Sequence, residues 1–189
     1  MAIKTFTTGE VLTAADTNTY LANSGLVYIT QFSLNTGLTT VDMTSIFTST
    51  FASYRLVFDG ITTVTRLIVN VQGLVGTTPT ATGYYSSGME INLAGAISGR
   101  GQSNTAAGET GIIAGSVPAG GSLEIYSPQK ATRTSWVSHG VDAFTIGSPY
   151  RAQSGFQDSN TQFNGLRLTS NGGTTFTGGT CFVYGYRQS

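Results

Sequence analysis

Charge is scarce in this sequence. Nine Lys and Arg offset nine Asp and Glu over 189 residues, so charged residues make up 10% of the chain, against about a quarter in ordinary globular domains. A duplex-binding protein needs an excess of basic residues to displace counterions, and none exists here. The same balance excludes a polybasic membrane-surface protein, and the shortage of Glu and Lys excludes a long coiled coil. No apolar run approaches the roughly 18 residues of a membrane span. The one cysteine, Cys181, excludes an intrachain disulfide and a cysteine-based zinc site. We expect it to be a buried, inert thiol in a strand. One histidine, His139, cannot build a multi-histidine metal centre. The opening Met1–Phe6 has no basic stretch followed by an apolar one, so synthesis in a cytoplasm without export is expected.

What is abundant points to strands. The chain holds 25 Gly, 10 Phe and 9 Tyr, with about fifty Thr and Ser. Disordered chains lack aromatic and β-branched residues, whereas this composition fits short strands joined by glycine turns. The expected fold is all-β: an antiparallel, jelly-roll-like β-sandwich over residues 26–189, preceded by an arm over 1–25. In the arm, Thr13 can cap a helix whose first turn carries Asp16. A helix of about ten residues is too short to persist alone. Val11, Leu12, Tyr20 and Leu21 form its docking face.

Strands are expected at 27–32, 38–43 and 54–61, with 67–72 as the partner of the last. Others are expected at 87–93, 111–117, 122–126, 134–141, 162–169 and 180–186. Ile46, Phe47 and Phe51 are spaced for a helical turn. In the final strand Phe182, Tyr184 and Tyr186 alternate with Cys181, Val183 and Gly185. The aromatic face is expected to pack into the core, the alternative being a subunit contact. No internal repeat of a solenoid or propeller is present.

Catalytic motifs fail on inspection. Ser138 and His139 are adjacent in a predicted strand and point to opposite faces, so they cannot form a nucleophile–base pair. Gly99-Arg100-Gly101 begins like a dinucleotide fingerprint but lacks the third glycine and the helix, and reads as a flexible loop. Asp158-Ser159-Asn160 starts like a calcium loop but has Phe163 where glycine is required. Glu90 and Glu124 could converge across a sandwich as a glycosidase pair, although no local spacing argues for it. No catalytic residue, cofactor or metal is expected. The remaining candidates are aromatics near strand ends: Tyr84, Tyr85, Tyr126, Trp136 and Tyr150, with His139 beside them. Aromatic faces beside hydroxyls and amides suit sugar rings; packing in the sandwich or at a subunit interface is the competing role.

Two segments carry a resemblance. Residues 6–23, from Phe6-Thr7-Thr8-Gly9-Glu10 to Tyr20-Leu21-Ala22-Asn23, resemble the N-terminal segment of tailed-bacteriophage tail-fibre and minor tail proteins. Residues 51–61, with the closing 178–186, are similar to the β-sandwich heads of phage fibre-like virion proteins. The resemblance implies attachment to other virion proteins through Phe6, Val11, Leu12, Tyr20 and Leu21, a homotrimer, and a head that touches host surface polysaccharide. Trimerisation would bury the short helix and cover sheet edges. The chain has no long repetitive shaft between arm and head, so a stubby fibre is implied. A head fibre or decoration protein on capsid or neck is the alternative. No catalytic residue follows from the resemblance, nor does nucleic-acid binding or membrane insertion.

Overall fold

Apolar residues that recur at every second position from Leu26 onward can bury one face only as strands. The computed structural model describes residues 7–11, 13, 25–141, 150–170 and 172–187. Among these there is no helix, and thirteen strands account for the regular structure. The strands are β1 (Leu26–Ser33), β2 (Thr40–Met43), β3 (Phe51–Thr63), β4 (Leu67–Val75), β5 (Thr78–Pro79), β6 (Tyr84–Ile91) and β7 (Ile97–Thr105). They continue as β8 (Gly108–Ala114), β9 (Ala119–Tyr126), β10 (Thr134–Val141), β11 (Tyr150–Gln157), β12 (Gly165–Ser170) and β13 (Phe176–Arg187). All strand ladders are antiparallel. The larger sheet has eight strands in the order β1-β13-β3-β9-β10-β11-β6-β7. The smaller has the path β2-β12-β4-β5, with β8 also paired to β4, on the edge opposite β12. The expected helix after Thr13 falls on residues 14–24, outside the described residues.

One core joins the two sheets. Tyr54, Leu56 and Phe58 of β3, Leu123 and Ile125 of β9, and Cys181 and Val183 of β13 enter it from the larger sheet. Met43, Val69, Val71, Leu166 and Leu168 enter from the smaller. Each such Leu, Ile or Phe contributes about 1.5–3 kcal/mol by leaving water. Every residue of β8 is buried, because this strand lies beneath the middle of the larger sheet. There the layers meet backbone to backbone. A Cβ on Gly140 would stand 2.3 Å from the Gly111 carbonyl oxygen. The Gly111 N–H donates to Ser138 Oγ at 2.5 Å.

Several expectations are corrected. Strands β3 and β4 are not partners: β3 pairs with β13 and β9, and β4 with β12, β8 and β5. The link at 64–66 carries the chain from one sheet to the other, so both strands keep an inward apolar face. The segment 44–50 makes turns rather than a helical turn. Ser45 has φ 57° there, and the Tyr54 hydroxyl both donates to the Thr48 carbonyl (2.7 Å) and accepts from its N–H (2.5 Å). The supposed loop around Gly99 is β7, paired with β6 along its length. Strand β11 had no expected counterpart, since Arg151 and Gln153 occupy its inward positions. In β13 the faces are reversed. Cys181 and Val183 are fully buried, while Phe182, Tyr184 and Tyr186 are half-buried on the outer face. The large rings of β3 already fill the layer, leaving room only for small side chains opposite them. At Gly185, for example, a Cβ would lie 2.4 Å from the Phe51 ring.

The Cys181 thiol is free, buried, and pushed up in pKa by desolvation. The thiolate that reacts is therefore suppressed. A disulfide reagent should modify no thiol in the native protein at pH 8, and one per chain after denaturation. Modification at equal rates in both states would show that this strand does not face the core.

Candidate functional site

The larger sheet turns its second face to solvent, and strand register decides what stands there. One cross-strand row runs Leu26, Tyr186, Ser53, Tyr126, Ser135, Phe156, Tyr85 over seven neighbouring strands. The next runs Tyr28, Tyr184, Arg55, Glu124, Val137, Ser154, Ser87. The third runs Gln31, Phe182, Val57, Ser122, His139, Ala152, Met89. Aromatic and aliphatic groups thus alternate with hydroxyls on an outer face with few charges.

A cleft of about 500 Å³ opens over β9, β10, β11 and β6, walled by Tyr85, Phe156 and Tyr126 with Ser135, Ser154 and Gln102 between them. Its best-ordered wall is a stack. Tyr85 lies against Phe156 at 5.1 Å and 16°, and the Arg133 guanidinium lies 4.2 Å from the Phe156 ring centre. Arg133 is held by Asp158 at 2.5 Å, so the motif examined as a calcium loop instead anchors a cation–π contact. The Tyr126 ring is 41% exposed and faces the cleft across Ser135. At the other end of the same strands, His139 and Tyr150 stack at 6.3 Å, and a hydrogen bond links His139 Nδ1 to the Tyr150 hydroxyl at 3.0 Å.

Three of the five aromatic candidates, Tyr85, Tyr126 and Tyr150, therefore share the outer face. The other two are corrections. Tyr84 is buried, and its hydroxyl accepts the Gly73 N–H at 2.7 Å from the smaller sheet. Trp136 is also buried, and its Nε1–H donates to the Glu109 carbonyl at 3.2 Å. Both sit at even-numbered positions whose side chains turn inward on β6 and β10; only the edge of the Trp136 ring reaches the cleft floor, beneath Gly155. Burial pushes the Tyr84 pKa up to about 12, above the ordinary phenol value near 10.0. The neutral phenol is the form that fits, so its stabilising effect is complete below pH 10 and is lost as pH rises through about 12. Alkaline difference spectroscopy should show Tyr84 ionising last, together with unfolding. Phe156, the centre of the stack, had no counterpart among the sequence candidates because β11 itself was not foreseen.

Glu90 and Glu124 do not converge. Glu90 turns inward to Arg151 (3.4 Å) and Arg100 (3.6 Å). Glu124 turns outward, pairs with Arg55 at 3.5 Å and accepts from the Tyr186 hydroxyl at 3.0 Å. They occupy opposite faces of one sheet, which rules out joint action on one bond. Ser138 and His139 likewise face opposite ways. Among the described residues no cluster of three His, Cys, Asp or Glu side chains could hold a metal ion. No helix among them is long and apolar enough to cross a membrane.

Of the arm candidates, Phe6, Leu12, Tyr20 and Leu21 lie outside the described residues. Val11 is 78% exposed. It follows a turn in which the Thr7 N–H donates to the Glu10 carboxylate at 3.1 Å, with Gly9 at φ 88°. Compared with family models, curated proteins and solved structures, the chain matches none.

Proposed function

We propose that this chain is a structural protein of a tailed-bacteriophage virion: a short tail fibre or tail-associated adhesin, homotrimeric, made in the cytoplasm of the infected host. In this reading residues 1–25 attach it to other virion proteins, and a jelly-roll-like sandwich over 26–189 meets the host surface. The observation that carries the reading is the outer face of the eight-stranded sheet, where the Tyr85–Phe156 stack and Tyr126 border an uncharged cleft rich in hydroxyls. Such a face suits contact with a hydrated, polyol-covered surface. The resemblance of residues 6–23 and 51–61 to fibre proteins supports the virion assignment. The reading needs no catalytic step, cofactor or nucleic acid, and no membrane insertion.

A second reading, a capsid- or neck-attached head fibre or decoration protein, is favoured by a different observation. Tyr28 and Tyr184 stack edge to face at 5.7 Å on the outer surface of β1 and β13, with Leu26 beside Tyr186 in the next row. This apolar patch lies away from the cleft and could be covered by another virion protein or another subunit. Locating the chain on purified particles, with a mass measurement of the free protein, tests both. A trimer at the tail whose addition blocks adsorption of particles to cells supports the adhesin. A protein placed on the capsid that does not block adsorption contradicts it.

A further inference from the structure

The cleft is one end of a longer trough. A second depression of about 210 Å³ shares Ser87, Val137 and Ser154 with the cleft and continues to Met89 and Ala152. A third, of about 360 Å³, is lined by Ser122, His139 and Tyr150, and its His139 stands directly opposite Ala152 of the second. The three follow the course of β10 from Ser135 to Val141, a distance of about 20 Å at the rise of an extended strand. Small residues make the floor: Ser154, Ala152, Gly121 and Ser122. Aromatic groups stand at both ends, Tyr126 with Tyr85–Phe156 at one and His139–Tyr150 at the other.

We propose that this trough binds a linear, uncharged polysaccharide lying along β10 and β11, with one sugar against each aromatic end. The inference rests on the adhesin reading and names its ligand. Two observations select this occupant. The 500 Å³ cleft and the second depression have no charged lining residue, and the one charged side chain of the third, Arg55, is paired with Glu124 at 3.5 Å. Acidic sugars and phosphates would therefore find no free partner charge, while neutral hydroxyls meet Ser, Tyr and Gln groups. The strands beneath are paired on both sides, so a peptide finds no free backbone edge to extend.

The test uses the full chain on an array of immobilised bacterial surface polysaccharides, neutral and acidic, and on intact cells. Binding should be confined to neutral, unbranched polymers. Affinity should rise with fragment length, and a single sugar should bind far more weakly than a hexasaccharide. Tyr126→Ala and Tyr150→Ala, both at exposed positions, should each weaken hexasaccharide binding about five- to tenfold. Ser154→Arg, which fills the middle of the floor, should abolish binding with an unchanged melting temperature. Adsorption to cells with no array signal, or with a signal from acidic polymers only, would overturn the inference and leave the adhesin reading standing. Adsorption to no cells and binding to no polymer would overturn both. A free protein whose oligomeric state is broken by Ser154→Arg would make the trough an interface between copies, which also overturns the inference.

Discussion

Arg151→Met is expected to lower stability by about 3–5 kcal/mol, the cost of leaving a buried charge without its partner. Among the described residues Arg151 is the largest fully buried side chain, and it points from β11 into the layer between the sheets. Its guanidinium donates to the Glu109 carboxylate at 2.5 Å, and Glu109 is itself only 3% exposed. Desolvation pushes the Arg151 pKa down from its ordinary value, and the Glu109 charge opposes that shift. Removing the cation leaves Glu109 with Arg100 alone, at 3.6 Å and partly open to water. With total stabilities near 5–15 kcal/mol, the loss is a large fraction of the whole. Adding Glu109→Gln to Arg151→Met should recover part of it, because the residual group is then neutral. Denaturant midpoints of the two single variants and the double variant measure the coupling. A midpoint change worth less than about 1 kcal/mol would show that this pair is solvated.

Gly140→Ala should be nearly as severe, at about 3 kcal/mol, the upper end for overpacking. The added methyl would meet the Gly111 carbonyl oxygen at 2.3 Å and Ile112 Cα at 2.9 Å. Both belong to the β8 backbone, which is held on either side by the pairs Glu109–Asn70 and Ile113–Ile68 and cannot rotate away as a side chain could. The internal control is Gly99→Ala on the outer face of β7, where a Cβ would meet nothing within 4 Å. That change should be within a few tenths of a kcal/mol of neutral, or slightly stabilising through the unfolded chain. Equal effects at both sites would mean that the two layers do not touch.

The all-β class and most strands could be read from alternation, since Tyr54, Leu56 and Phe58 repeat at the strand period over a clear run. Pairing could not. The choice of β13 and β9 as the neighbours of β3, in preference to β4, is set by which faces close the core, and that depends on the whole chain. Strands β7 and β11 escaped notice for a related reason. Their inward positions hold Arg100, Arg151 and Gln153, so the hydrophobic pattern that marks a strand is missing where the interior is polar. The same parity misplaced two site candidates. Tyr84 and Tyr85 are neighbours in sequence, and only the pleat decides which of them faces water. Position near a strand end does not carry that information. The size of the β13 aromatics does not reveal which face turns inward, because that is set by the room left beside Tyr54, Phe58 and Phe51 of the neighbouring strand β3.

The adhesin reading requires the trough to face outward on the assembled particle, and a single thiol placed in it can report this. Cys181 is buried and should be silent, so Ser154→Cys supplies the one reactive group. The account predicts that a bulky maleimide labels this thiol on intact particles and that labelled particles no longer adsorb to cells. A thiol that is protected on the particle but labels freely in the isolated protein would place this sheet face against the virion, and would contradict the account.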